Sequence, residues 1–595
     1  MRKATVTYTS ILKGRASRRF GASDGQFEAS SGIDPDLVIS GDTLALGAAT
    51  PCAMTKFSGS NVNDKVIAIV NCPQNTNTYV VLANGRLVRY NSSLASETLI
   101  GTVAGDNAEG ATYYNNYIYI FGTGKGKDDV SRYGPLDNIP SLVDGIWAGG
   151  SLTMTTGIAS FTIGLKVTGG TSGATGYIIG KTTGPDTLIL SGVEGTFVAE
   201  TVTDSGSGTG STLGAFTDSI LGSQTKLNDT TYPYVRNSII PNHWGWVHSD
   251  NSLYFCDFAN GQGLIHRIHT MKSTYEGEID DTDVPSAYNV LDLPFGFYPT
   301  SIASYSTSVS ITAVQTINYQ INQGPAALFI WNPTNTVTFD QMITLPDSLA
   351  TAMMVRNGEL HVFTGSALKG CRISTYSGGD TVQEATYIAD GTPPRQGAVD
   401  IEGRRLLFGS YCLTPQESSA VYALGSESSQ SNYDLQNIIS VGSLLASQTQ
   451  CVTAIKSITR QNSSQSNPDI IVSAYNDTDG NGLYKRGATV QGKLSLPTAI
   501  IGRKFKIDEI HVPLGSAVAS GTSIQPLISY DLGDATESLT AISNTNYPSA
   551  KKVTYVNGEM PKTGDNSFRI DFTWSGTIAT PIAFPITVKL TIYDD

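Results

Sequence analysis

Charge is scarce in this chain. Asp, Glu, Lys and Arg make up 15% of its 595 residues, well below the usual quarter. What charge there is lies on the acidic side, with a formal net charge of −13. That sign argues against a protein that grips nucleic acid through its phosphates. Long apolar runs are missing as well: nothing approaches the ~18 residues that a bilayer-spanning helix needs. The opening MRKATVTYTSILKGRASRRF lacks the apolar centre of a secretory signal, so the expectation is synthesis and initial residence in a cytoplasm. The six cysteines (Cys52, Cys72, Cys256, Cys371, Cys412, Cys451) show no CxxC spacing, and they read as reduced, buried, small apolar residues rather than a zinc site or a disulfide frame. His266 and His269 are three apart in LIHRIHT, which in a strand puts them on opposite faces and rules out joint chelation. GxSxG, Walker, HExxH and zinc-deaminase patterns are all absent, and helix signals are nearly so.

Turn residues and strand formers fill the space. There are 61 glycines and 28 tyrosines, an all-β composition rich in turns. Pairs of apolar, β-branched or aromatic strands joined by polar turns recur along the chain: KVIAIV with YVVLANGRLVRYN, HWGWVHSDNSLYFCDF with GLIHRIHT, AMMVRNGELHVFTG with CRISTYS, DIIVSAY with GLYKRG. Each unit offers about four strands over roughly 45–60 residues, the length of a propeller blade. Units are expected to begin near Ala53, Ala111, Asn242, Pro299, Thr351, Gln396 and Val452. One interval is too long, and the Gly/Ser/Thr-dense segment inside it has its own short strands; excising it restores the period. The reading is therefore an all-β chain: a β-propeller of about seven blades over 51–147 and 219–499, an inserted small β-sandwich over 148–218, and a C-terminal β-sandwich or jelly-roll domain over 500–595. Residues 1–50 are an N-terminal arm and closing strand, with VTYTSIL expected to complete the last blade beside residues 450–495. In FRIDFTW, Phe568, Ile570, Phe572 and Trp574 alternate onto one core face.

Candidate site residues are few. YNDTDGNG places Asp477, Asp479 and Asn481 at alternate positions before Gly482, like the first half of a calcium loop, but position twelve is Ala488 and both flanks are β-rich, so a hairpin turn is favoured over a metal site. GTGKGKDD, 122–129, lacks the Walker spacing and reads as a hairpin. Arg2, Lys3, Lys13, Arg15, Arg18 and Arg19 occur in the first 20 residues without any acid. They form an arm suited to an acidic partner or to DNA, or simply a solvated terminus. Trp244 and Trp246 share a strand face, as glycan-stacking candidates or as packing between blades. Asp250, Asp257, Asp400 and Glu402 are the carboxylates that a propeller glycosidase would require, yet no motif carries a reaction and the chain is not expected to be an enzyme or to hold a cofactor.

A likeness adds to this. ILKGRASRRFGASDGQFEASSGIDPDL, the inserted FTIGLKVTGGTSGATGYIIG, and the C-terminal GRKFKIDEIHVPLGSAVASGTSIQPLISYDLG with FTWSGTIATPIAFPITVKL resemble segments of structural proteins in tailed-phage virions. The combination of a propeller with inserted and terminal β domains is similar to the tail nozzle of short-tailed phages. The resemblance implies a virion tail protein assembled in the host cytoplasm, six copies in a homo-oligomeric ring, contacts with adaptor and fibre proteins, and passage of DNA without specific binding. An acidic wall suits such a conduit, because like charges repel. Two other classes stay open: a receptor-binding or fibre-associated virion protein that recognises host glycan, and a propeller glycosidase or lectin.

Overall fold

The structure is a computed structural model. It describes residues 1–10, 29–31, 33, 54–73, 76–103, 108–122, 130–143, 149–218, 244–269, 289–409, 420–425, 435–440, 450–458, 469–476, 480–486 and 490–593, apart from short stretches at 138, 163–164, 183–184, 260–261, 318–319, 322–323, 335–337, 367–369, 380–381, 390–392, 404 and 579. Every named strand pairing among these residues is antiparallel, and the fold is all-β, built from several small sheets. Contacts divide the chain into two units, Gly59–Val399 and Met1–Ser58 with Asp400–Asp595.

The unit Gly59–Val399 contains five successive meander sheets: sheet 1 over 66–102, sheet 2 over 110–143, sheet 3 over 245–295, sheet 4 over 297–344 and sheet 5 over 349–389. Their inner strands are largely buried. Val66–Val70 and Thr78–Leu82 are buried residue after residue, as expected of strands covered on both faces. Turn chemistry sets the register. Asn357 and Gly358 both have positive φ, 52° and 81°, the geometry of a two-residue hairpin turn, and they join Leu349–Arg356 to Glu359–Ser366 with Arg356 opposite Glu359.

Between sheets 2 and 3 lies a closed six-stranded barrel from Gly149 to Asp218. The sequence predicts a small sandwich here; the strands instead close on themselves, because the first, Gly149–Thr156, pairs both with Thr187–Glu194 and with the last, Thr209–Asp218. The barrel has its own core of Leu152, Ile178, Leu188, Leu190, Val202 and neighbours. Gly150 faces Asp218 across the ladder, so the two ends of the insert are adjacent, about 5 Å apart. Replacing residues 150–217 with a short Gly/Ser linker should leave the rest of the chain soluble, with its unfolding midpoint changed by no more than a few degrees. Insoluble protein after that excision would show that the barrel is integral to the sheets around it.

The second unit holds two further four-stranded sheets and a sandwich. Sheet 6 covers 399–440, and sheet 7 combines Gln450–Ile458, Asp469–Asn476 and Gly480–Arg486 with Met54–Lys56. The expected closing strand therefore needs correction. An N-terminal segment does complete the sheet at 450–486, but it is Met54–Lys56, paired with Tyr484–Arg486. Arg2–Tyr8 instead pairs along its whole length with Ile586–Ile592 of the sandwich. The reason is facial: Tyr8 is buried in the sandwich core, with Ala4 and Val6 packed against it, while Thr5 and Thr7 face outward.

The sandwich begins before residue 500, since Val490–Ser495 pairs with Ser567–Gly576. One sheet orders Arg2–Tyr8, Ile586–Ile592, Phe505–Pro513 and Lys552–Val556; the other orders Ala29–Ser31, Val490–Ser495, Ser567–Gly576, Thr522–Tyr530 and Ala535–Ser538. Phe568, Ile570, Phe572 and Trp574 all lie in the core between them.

Candidate functional site

The metal-like stretch lies between two paired strands. Asp469–Asn476 and Gly480–Arg486 pair antiparallel with Asn476 opposite Gly480, so strands stand where a calcium loop would have helices. Asp477 and Asp479 lie outside the described residues, and Asn481 sits in the returning strand opposite Tyr475. Among the described residues, no group of three or more His, Cys, Asp or Glu is placed to hold a metal ion. GTGKGKDD likewise links two antiparallel strands, Tyr117–Phe121 and Val130–Gly134; residues 123–129 are outside the described set.

The tryptophans are packing residues. Trp244 is buried in the apolar core that joins sheets 1 to 4, and half-buried Trp246 rests against that core and the next one.

Three of the four candidate carboxylates are engaged locally. Asp250 accepts the backbone N–H of Ser252 (2.9 Å) and the Tyr254 hydroxyl (2.7 Å), tying a turn. Asp400 accepts the Lys456 ammonium (3.1 Å) and the Ser457 N–H (2.7 Å). Glu402 is buried and accepts the Arg405 guanidinium at 2.7 Å. Asp257 lies in the strand Ser252–Ala259, opposite Leu264.

The basic arm divides. Arg2 and Lys3 belong to the first strand, whereas Lys13, Arg15, Arg18 and Arg19 lie outside the described residues. Lys3 has its acidic partner within the chain: its ammonium donates to Asp508 (2.8 Å) and to Thr591 Oγ1 (2.7 Å), and the Thr591 hydroxyl also donates to Asp508 (2.8 Å). Burial alone would raise the Asp508 carboxyl, but the hydrogen bonds from Lys3 and Thr591 and the lysine charges outweigh it and hold the group below its ordinary range. On the same sheet Glu509 accepts Lys589 (2.7 Å) and contacts His511 (3.1 Å). On this outer face Lys3 with Asp508 and Lys589 with Glu509 form two ion pairs.

Three acids that sequence reasoning missed pin loops. Glu200 in the barrel accepts the N–H groups of Thr171 (2.6 Å), Ser172 (2.8 Å) and Val198 (3.2 Å) and the Ser172 hydroxyl (2.5 Å). Burial pushes its pKa upward, yet these donors outweigh the burial and bring it to about 2. Asp204 accepts the N–H groups of Thr162 (3.1 Å), Gly206 (2.9 Å) and Gly208 (2.7 Å). In the sandwich, Asp531 gathers the N–H groups of Asp565 (2.8 Å), Asn566 (2.7 Å) and Ser567 (2.9 Å). Cys72, Cys256 and Cys371 are buried, and burial raises the Cys371 thiol.

No protein family matches this chain, and no curated protein matches it. Among solved structures, it is similar to Sqt1 of Saccharomyces cerevisiae, with 9% identity and a TM-score of 0.35 over 73% of this chain and 98% of that one. The computationally designed Ika8 protein gives 11% and 0.33 over 72% and 98%, and the Dos1 propeller 8% and 0.35 over 73% and 95%. The likeness to these structures is weak.

Proposed function

We propose that the seven small meander sheets are the blades of a β-propeller and that the chain is a structural subunit of a phage tail, a nozzle or tail-tube ring component that forms the DNA exit channel and docks neighbouring tail proteins. The observation that carries this reading is where the polar chemistry is used. Trp244 fills a core, Asp250 ties a turn, and Lys3, Asp400 and Glu402 are paired within the chain, as in a scaffold whose function lies in its surfaces. The modular order, with a barrel inserted between two sheets and a sandwich after the last, agrees with the resemblance to nozzle proteins, and the net charge of −13 suits a wall past which DNA slides. A second reading, fibre-associated glycan recognition, draws on the barrel, which has its own core and adjacent ends and so makes a natural appended module.

Electron microscopy of the assembly that contains this chain, with light scattering on the purified protein, tests the proposal. A closed sixfold ring around a channel is the expected result. A trimer that binds glycan through the barrel would replace it with the second reading, and polysaccharide hydrolysis lost on single carboxylate substitution would overturn both.

A further inference from the structure

Sheets 1 to 5 meet through their first strands. Val66–Asn71 packs on Gly110–Tyr114, that strand on Gly245–Val247, the latter on Phe297–Tyr305, and Phe297–Tyr305 on Leu349–Arg356. Thr112 donates across one of these seams to the Gly245 carbonyl at 2.7 Å. A short turn, Gln396–Ala398, touches both the first and the last strand of this series, Val66–Asn71 and Leu349–Arg356. Its three residues are buried. At Gly397 a Cβ atom would stand 2.2 Å from the Ile67 carbonyl oxygen and 3.4 Å from the Trp244 ring, so the turn is seated against sheet 1 and against the entrance to sheet 3 with no room to spare. Thr351 fastens its approach by donating to the Pro394 carbonyl at 2.6 Å.

Gln396 supplies the chemistry. Leu349–Arg356 is the edge strand of sheet 5, and an edge strand turns unpaired N–H and C=O groups outward. The Gln396 amide meets such a pair: Oε1 accepts the Met353 N–H at 2.8 Å, and Nε2 donates to the Met353 carbonyl at 2.9 Å. Oε1 also accepts the Ser301 hydroxyl of sheet 4. A primary amide accepts and donates side by side at any pH, and so reproduces what a neighbouring strand would offer.

We propose that Met353 and Ser301 form a primary-amide site in the middle of the five-sheet array, and that Gln396 fills it in cis, shutting that centre to outside ligands. A ligand that entered would carry a carboxamide and would have to displace the turn. The inference concerns Gly59–Val399 alone and holds whatever assembly the chain joins.

The test is thermal unfolding of the full chain. Gln396→Ala leaves two or three buried groups without partners and should lower the midpoint by about 3 °C or more. Acetamide, the fragment removed, should raise the midpoint of this variant relative to the natural protein in the same solution; N,N-dimethylacetamide, which has no N–H, should not. An unchanged midpoint, or a loss that acetamide does not reverse, overturns the proposal. If Gln396→Ala is insoluble, Gln396→Glu serves. Its carboxyl can donate to the Met353 carbonyl only when protonated, so its deficit against the natural protein should be smaller at pH 5 than at pH 8, and equal deficits at both would sink the idea.

Discussion

Trp574→Ala should destabilise the C-terminal sandwich by about 4 kcal/mol, among the largest effects of any single truncation in that unit. The indole is 2% exposed and lies in the core between the two sheets, beside Phe572 at a ring distance of 6.2 Å. Removing it opens a cavity that strands hydrogen-bonded on both sides cannot collapse to fill. A polar cost adds to the apolar one. Nε1 donates to the Thr580 carbonyl at 3.0 Å, and that buried acceptor would lose its donor. Urea unfolding with a sandwich-specific probe, such as amide exchange of Ser567–Gly576, would measure it. A loss below about 1 kcal/mol would mean that the face does not pack as described.

Acid sensitivity should centre on His361. The ring is 1% exposed, and neither nitrogen has a hydrogen-bond partner among the described residues. Burial, aided by the nearby Arg356 charge, lowers its pKa from 6.5 to about 4. The unfolded chain therefore binds a proton that the folded chain refuses, and stability falls as pH drops from about 6.5 toward 4, by up to roughly 3 kcal/mol. Above pH 6.5 the imidazole is neutral in both states and contributes no slope. Replacing the ring with leucine removes the term, so His361→Leu should gain on the natural protein as the medium is acidified from pH 7 to pH 4.5. Parallel pH profiles of the two urea midpoints would rule this origin out.

How much of this was legible in the sequence depends on distance along the chain. Hairpins were readable because their information is local: the Asn357–Gly358 turn and the alternating Phe568, Ile570, Phe572 and Trp574 announce themselves within a few residues. The barrel was legible as an insert, since its turn density differs from its surroundings, but its closure rests on Leu152 meeting both Leu188 and Phe216, which no short window contains. Strand partners were hardest. Ala4, Val6 and Tyr8 alternate in a way that suits any open sheet edge, so nothing local separates sheet 7 from the sandwich. The carboxylates were ambiguous for a related reason. Asp400 reads as a free acid until folding brings Lys456 to it, while the buried amide of Gln396 follows two prolines in TPPRQG and carries no signal beyond a turn.

The pairing of Arg2–Tyr8 with Ile586–Ile592 also imposes an order on biosynthesis. At roughly 5–20 residues per second, a ribosome takes about half a minute to two minutes to travel from one of these strands to the other. Throughout that time the early strand has no ladder partner, while all of Gly59–Val399, which lies wholly between the two halves of its companion unit in sequence, is synthesised. A nascent chain arrested before residue 586 would then carry an unpaired early strand, whose Arg2 and Lys3 are the kind of charged residues that keep an unpaired edge from recruiting a strand of another chain.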